Sequence, residues 1–551
     1  MGILTIVKKF VSISCIIILG IVLRLIFINK PDGLWNDEYV SWTIATAPLF
    51  DGFWNAVKSQ CHMPFYYLYL KFFMSLFGQS DLVLRLTSVF AGILSIIAMY
   101  FVGKEKSEKT GILCAGMSAI SAFLIYYSQE VRFYSVLFFF SALALLFTIR
   151  CFKNPTKSNL IWFSISSLLI LFTHTIGFVF VFFNLLILSI ALFKKYKKQI
   201  ISLWSVIAVL GATLCPLVIK IFGTQTFSQW WGHFSISKIG FLLTDYFSPI
   251  ITNLTNAPDN FFYAPQNLIF MLIPTGIAIY GIYLACRKER TNSLLLACSV
   301  SFLTVLFIAS IAGKLVFTTK YSIECYPILI YLACFGLSTI ENNVLKRSLI
   351  SIFCLINLGY IVLAPYSAPK MHRAEGNKIP MDILKQFDLK QGDTIILQYY
   401  PASRFEKYFD FSGYNVVAME KGNFVNYLSE NTTYEDAYKN GKDLYKSVFS
   451  QEENSYFAGM FQREVFDNLK TGQNVTLVIL NSVAFYPPEN LQNIISNDNL
   501  YKKEPLLFLV FSYLRKQTIN EMLKNLVLTN VAQKGNWTVV QFTKLNKNSL
   551  N

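Results

Sequence analysis

Beyond residue 354 this 551-residue chain has no cysteine, all ten lying earlier, so no disulfide framework holds the C-terminal part together. None of the ten falls in a metal-type pair spacing, which excludes a cysteine-based zinc module. The region beyond residue 366 also lacks a glycine-rich phosphate loop, which removes the common nucleotide-binding enzymes, and the chain has no internal repeat that would build a solenoid. What the chain has instead is apolar surface. Hydrophobic residues make up 54% and aromatic ones 16%, with a mean hydropathy of +0.46. That is too apolar for a soluble protein of this size.

Eleven apolar segments are long enough to cross a ~30 Å hydrocarbon core as helices. They run near 10–29, 84–102, 110–127, 133–150, 159–173, 176–193, 199–222, 266–286, 293–313, 323–340 and 348–365. Thr173, His174 and Thr175 form the only break between the fifth and the sixth. Lys8 and Lys9 precede the first, and no small-residue cleavage site follows it, so it reads as a retained helix and not as a signal peptide. Arg24 lies near its outer end, where it can snorkel.

The formal charge of +16 raises the question of a nucleic-acid partner. The basic residues, however, form short clusters between spans: Lys104, Lys106 and Lys109; Arg150, Lys153 and Lys157; Lys194, Lys195, Lys197 and Lys198; Arg287, Lys288 and Arg290; Lys346 and Arg347. All fall on one side if the N-terminus is cytoplasmic, while the 223–264 loop holds a single Lys or Arg, Lys238. Topology explains the charge, and the expectation is a multi-pass protein with a cytoplasmic N-terminus and no nucleic-acid partner.

On the outer side the first span is followed by Trp-Asn-Asp-Glu-Tyr-Val-Ser-Trp at 35–42, with the adjacent carboxylates Asp37 and Glu38. The same face receives His62, Ser-Gln-Glu-Val-Arg at 128–132, and His174. Charged groups converging at a membrane boundary point to a site of chemistry. Two domains are expected, a transmembrane domain over 1–365 with a catalytic first outer loop at 30–83, and a soluble outer domain over 366–551. In the latter, strand-like runs at 393–400, 474–483 and 537–543 alternate with helical patterns at 379–389, 434–449 and 515–527, an α/β or α+β pattern. That domain reads as a guide for a substrate or partner, not as the holder of the reaction centre. The apolar run at 505–513 is too short to span.

Several of these pieces, in order, resemble one group. They are the early Asp-Glu, His-Met-Pro-Phe-Tyr-Tyr at 62–67, Leu-Arg-Leu-Thr-Ser at 84–88, Tyr-Tyr-Ser-Gln-Glu-Val-Arg-Phe-Tyr at 126–134 and Thr-His at 173–174. The chain resembles the membrane glycosyltransferases related to protein O-mannosyltransferases and to the lipid A aminoarabinose transferase. The resemblance covers roughly the first 370 residues. It implies the C-type glycosyltransferase fold and a sugar donor on a polyprenyl-phosphate carrier, used on the non-cytoplasmic side. It also implies inversion, with Asp37 as general base.

Glycosyl transfer needs one carboxylate to accept the hydroxyl proton and cations to meet the departing phosphate. Glu38 either orients the acceptor or lies in solvent. Glu130 matches an acidic outer-loop residue suited to sugar hydroxyls or a cation, and Arg132 has planar donors suited to phosphate. A salt bridge tying two loops is their competing reading. His62 and His174 offer imidazoles to phosphate or sugar, against a structural role for each. Arg85 either serves phosphate or snorkels. Lys320, Tyr321 and Glu324, with Pro327, form a last cluster in which relatives tend to show Arg-Tyr, so Lys320 weakens bidentate phosphate binding there. Glu324 pairs with Lys320 or Arg85 on this reading.

No spacing demands a metal, although a divalent cation is compatible with these residues. Trp35, Trp42, Trp230 and Trp231 read as interfacial belt residues. Asn253, Asn431, Asn474 and Asn536 open glycosylation triplets. The partners expected are the lipid-linked donor, membrane lipid, and an acceptor left open among glycolipid, cell-envelope polymer and protein. Two rival functions are a transporter or flippase for a lipid-linked glycan, and a non-catalytic scaffold. A transporter would distribute its ionisable residues near the midplane in corresponding halves, whereas here they gather at one surface.

Overall fold

The computed structural model describes residues 3–59, 63–216, 219, 237–251, 265–312, 316–364, 367–370, 376–397, 402–418, 465, 467, 469–480, 526–535 and 537–544. The chain divides into two compact units, one of Met1–Asn29 with Val40–Met371, the other of Lys30–Tyr39 with His372–Asn551.

The first unit is helical. Its helices are α1 (Ile3–Leu25), the later part of α2 (Asn36–Thr46), α3 (Trp54–Ser59), α4 (Phe65–Phe77), α5 (Asp81–Lys104), α6 (Glu108–Ile120), α7 (Ala122–Ser128) and α8 (Tyr134–Lys153). Next come α9 (Lys157–Thr173), α10 (Gly177–Ala212), α11 (Ser237–Phe247), α12 (Pro265–Lys288), α13 (Arg290–Ile311), α14 (Tyr326–Ser338) and α15 (Asn343–Leu363). Among the described residues seven helices are long and apolar enough to span a bilayer, or eight if the bent pair α6–α7 is one span. Eleven expected spans are compatible with that number, because some elements are short or fused. The spans expected at 176–193 and 199–222 run together as α10, broken only at Tyr196 (φ −126°, ψ 38°) inside the lysine cluster.

The 59° bend between α6 and α7 has a sequence cause. Ser121 takes extended backbone and accepts the Leu124 amide with its side chain, acting as the N-cap of α7. The carbonyls of Ser118 and Ala119, freed at the end of α6, are taken up by Arg24, whose guanidinium also donates to Ser128 Oγ and Gly20 O, all at 3.1–3.2 Å. Arg24 therefore does not snorkel. It is fully buried, because these acceptors replace the water an exposed guanidinium would seek. Elsewhere small residues let backbones touch: a Cβ on Gly336 of α14 would fall 1.7 Å from the Gly281 carbonyl oxygen of α12.

In the second unit a five-stranded sheet has the order β2–β1–β3–β5–β4, formed by β1 (Thr394–Leu397), β2 (Asn415–Ala418), β3 (Asn474–Leu480), β4 (Val527–Lys534) and β5 (Trp537–Thr543). β1 runs parallel to β2 and β3, while β5 is antiparallel to β3 and β4. Helix α16 (Lys378–Leu384) contributes Ile379, Met381, Ile383 and Leu384 to a core with Ile395, Leu397, Phe405, Val478, Trp537 and Val539. Buried Asp393 fastens the sheet by accepting the amides of Lys390 and Asn474 at 2.8 and 2.9 Å. Of the expected elements, the three strands and the 379–389 helix have counterparts here, and β2 and β4 were not foreseen. The 434–449 helix, the 505–513 run and most of 515–527 lie outside the described residues.

Asn474 belongs to this fastening. Its side-chain amide donates to Asp388 O and Asp393 Oδ2 and its oxygen accepts from Thr543. The residue is 7% exposed, so its triplet is closed to a glycan in the folded protein. Asn253, Asn431, Asn536, Trp230 and Trp231 lie outside the described residues.

Candidate active site

Within the first unit, three short links between helices meet at one end of the bundle. The link from α7 to α8 carries Glu130 and Arg132. Ser88 of α5 holds it by donating to the Glu130 carbonyl at 2.6 Å, and Tyr126 donates to the Glu130 carboxylate. Gln129 reaches back to the Arg24 and Ile26 carbonyls at 3.1 and 2.8 Å, tying the link to the end of α1. Glu130 and Arg132 are 2% and 6% exposed. Arg132 donates to Ser41 Oγ at 3.4 Å and lies over the Phe133 ring at 5.0 Å.

The link from α9 to α10 carries His174, and the 3₁₀ segment Thr319–Cys325 leading into α14 carries Lys320, Tyr321 and Glu324. The sequence placed these far apart, and the fold joins them. His174 Nδ1 lies 3.1 Å from Glu324 Oε1, so Glu324 pairs with the imidazole and not with Lys320 or Arg85 as expected. The His174 ring is stacked between Phe133, at 4.8 Å and 30°, and Tyr321, at 5.8 Å and 21°. Lys320 Nζ lies 5.0 Å from the Tyr321 centroid. Arg132, Phe133, His174, Tyr321 and Lys320 are thus linked by successive ring contacts, with a cation beside the first and the last ring. A carboxylate on Nδ1 fixes the ring and directs Nε2 elsewhere. Arg85, near the start of α5, is 1% exposed and donates to Ile28 O at 3.4 Å, so it does not snorkel.

Sequence reading missed two residues here. Asp245, fully buried at the end of α11, accepts from Thr319 Oγ1 at 2.9 Å. Tyr246 bonds Ser322 O at 2.7 Å and stacks on Tyr326 at 4.5 Å. Together they pin the 3₁₀ segment from both ends. The available signal was an aspartate set beside Tyr-Phe in a loop otherwise read only for its basic residues.

In the second unit Asp37 and Glu38 open helix α2 as its second and third residues. Trp35 N donates to Glu38 Oε2 at 3.2 Å, which is the returning half of a capping box. Glu38 is 1% exposed, so it does not lie in solvent, and it serves the helix start. Asp37 is half-buried, in the first turn, where unpaired N–H groups favour negative charge. His62 lies outside the described residues. Among the described residues no cluster of three His, Cys, Asp or Glu could hold a metal ion.

The family model described as dolichyl-phosphate-mannose-protein mannosyltransferase matches residues 61–219, a stretch that takes in Arg85, Glu130, Arg132 and His174. ArnT from Cupriavidus metallidurans in the apo state is similar over 97% of both chains, with 11% identity and a TM-score of 0.54. The chain has the C-type glycosyltransferase fold. Its apolar helices make it an integral, multi-pass membrane protein. ArnT from the same organism bound to undecaprenyl phosphate covers 96% of this chain and 97% of its own, at 12% identity and a TM-score of 0.48. The Archaeoglobus fulgidus oligosaccharyltransferase tethered with an acceptor peptide containing the NVT sequon covers 98% of this chain and 74% of its own, at 10% identity and 0.49. Both are too distant to add weight to the C-type assignment. No curated protein sequence matches the chain.

Proposed function

We propose that this chain transfers a hexosyl or pentosyl group from a polyprenyl-phosphate carrier to an acceptor hydroxyl at the extracytoplasmic face, with inversion. The observation that carries the reading is the buried polar end of the helical unit. Glu130, Arg132, His174 and Glu324 are gathered by three links at the mouths of apolar helices, where such residues are costly and ordinarily kept for function. The family model's description, which names a dolichyl-phosphate-linked sugar, supports the donor class. In the proposed step Asp37 takes the acceptor's proton, the acceptor oxygen bonds the anomeric carbon, and the carbon–oxygen bond to the carrier phosphate breaks on the opposite face. Arg132, Arg85 and Lys320 are assigned to the phosphate charge, Glu130 to sugar hydroxyls or a cation, His62 and His174 to phosphate or sugar hydroxyls, and Tyr321 and Glu324 to holding His174. The proposed topology has the N-terminus in the cytoplasm and the soluble domain outside. The proposed boundary between the membrane and soluble domains is near residue 366.

The test is transfer of radiolabelled sugar from polyprenyl-phosphate donors into a membrane extract of the native host, comparing the chain with Asp37→Asn at matched levels. Loss of a general base lowers the rate by about 10²- to 10⁴-fold, which is the expected result. Equal transfer by both removes Asp37 as base. Transfer by neither, across a panel of donors, sinks the enzyme reading in favour of a transporter.

A further inference from the structure

The segment that carries Asp37 and Glu38 belongs to the same compact unit as the C-terminal domain, more than 330 residues away along the chain. Its attachment is dense and specific. Leu34 N donates to the Tyr408 hydroxyl at 2.8 Å. Asn377 N donates to Leu34 O at 3.0 Å and Lys378 N to Asp32 O at 3.2 Å, so the first turn of α16 caps the segment's carbonyls. The Tyr39 hydroxyl donates to Ser403 O.

The fit is also steric. Gly33 sits at φ +73°, where a Cβ would fall 2.6 Å from Lys378 Cβ and 2.9 Å from the Tyr408 ring. A Cβ on Gly376 would fall 2.0 Å from Asp32 O. Asp32, Leu34, Trp35, Glu38 and Tyr39 are all buried. Tyr408 itself packs against the core of the sheet domain, so the hydroxyl that holds Leu34 is carried by that domain. Behind it, Arg404 Nε donates to Asn377 Oδ1 at 3.0 Å, which fixes the residue whose amide holds Leu34 O.

Asp37 lies three positions after Leu34, and the Glu38 bond to Trp35 N locks the turn between them. The backbone that carries Asp37 is therefore placed by Tyr408, Asn377 and the glycine contacts. We infer that the C-terminal domain is a positioning element of the reaction centre, with Tyr408, Gly33 and Gly376 as positioning residues for Asp37. The inference rests on the reading of Asp37 as general base. It gives the soluble domain a role beyond guiding a substrate. A misplacement of about 1 Å in a reacting group costs about 10²-fold in rate, so a hydroxyl far from Asp37 in sequence has a measurable kinetic signature.

The experiment uses the full chain in membranes. Tyr408→Phe removes one oxygen and keeps the ring. Gly376→Ala pushes Asp32 from the other side. Tyr414→Phe, a change on the same core, is the control. Transfer kinetics are read with the polyprenyl-phosphate donor, together with hydrogen exchange of residues 30–39. The expected result is faster exchange over 30–39 and a kcat lowered about 10-fold in Tyr408→Phe and about 10²-fold in Gly376→Ala, with the donor KM within about twofold and the control unchanged. Wild-type kcat or unchanged exchange in Tyr408→Phe overturns the inference while leaving the base assignment standing. So does a donor KM that rises in step with the loss of kcat, since that places the defect in donor binding and not in the position of the base. Transfer by Asp37→Asn equal to wild type overturns the base assignment, and this inference falls with it.

Discussion

The two ends of the helical unit handle charge in opposite ways. At one end Arg150 and Lys153 meet Glu105 at 2.7 and 2.9 Å, and Lys106 meets Glu289 at 2.6 Å. The lysines and Arg150 are 36–53% exposed there, so water shares the work and each pair adds little. At the other end Glu130, Glu324 and Asp245 are 0–2% exposed, and their partners include a phenol, an imidazole and an alcohol. Burial of that kind is costly and buys little stability, so its retention marks the end where chemistry is expected. The contrast teaches that count and sign of charges mark one face of the membrane unit, whereas burial and partner type mark the candidate site.

The comparison is sharpened by substitution at each end. Within the helical unit the largest effect is expected from Arg132→Ala, because a hydrogen bond to a charged group is worth about 1.5–3 kcal/mol. Steady-state kinetics with the lipid-linked donor should show kcat/KM down by about 10- to 100-fold. An unchanged value would make Arg132 a structural residue of the α7–α8 link.

A smaller loss is expected for Glu324→Gln, which keeps the shape and weakens the hold on His174. Losing about 1 kcal/mol of orientation corresponds to transfer about fivefold slower. Addition of His174→Ala to that variant should then bring less than the product of the two single losses, since the residues act as a pair. Independent, multiplicative effects would separate them.

The smallest effect belongs to the opposite end. Glu105→Gln is expected to leave transfer unchanged and to lower stability in detergent by no more than about 1 kcal/mol. Burial alone would raise the Glu105 carboxyl, but the bonds from Arg150 and Lys153 and their charges outweigh it and hold the group below the ordinary carboxylate range. A depressed folded value means the stabilisation is fully present above the ordinary carboxylate range and is lost as pH falls through the lowered value. Melting of wild type and variant should therefore differ near neutral pH and converge in strong acid. A difference that grows toward acid would reverse the assignment.

Much of the fold was legible because membrane spans are written locally. Each is a run of apolar residues, and basic clusters between them mark the turns. The strands at 394–397, 474–480 and 537–543 were visible for a similar reason, since alternation and β-branched residues are read within a few positions. What stayed hidden were β2 and the edge strand β4. The four residues of β2 are too short to register a period. In β4 the row of exposed residues lacks the buried-face alternation that reveals a half-buried strand.

By itself, then, the sequence determined the apolar helices, the basic clusters that flank them, and the acidic Asp37–Glu38 pair just after the first span. Only the tertiary structure decided that Glu38 caps its own helix, that Glu324 finds His174 150 residues away, and that residues 30–39 are held by Asn377 and Tyr408. The physical reason is the kind of bond involved. The ties to 30–39 run largely through backbone amides and carbonyls, which every residue type carries alike, so no pattern of side chains along the chain announces them.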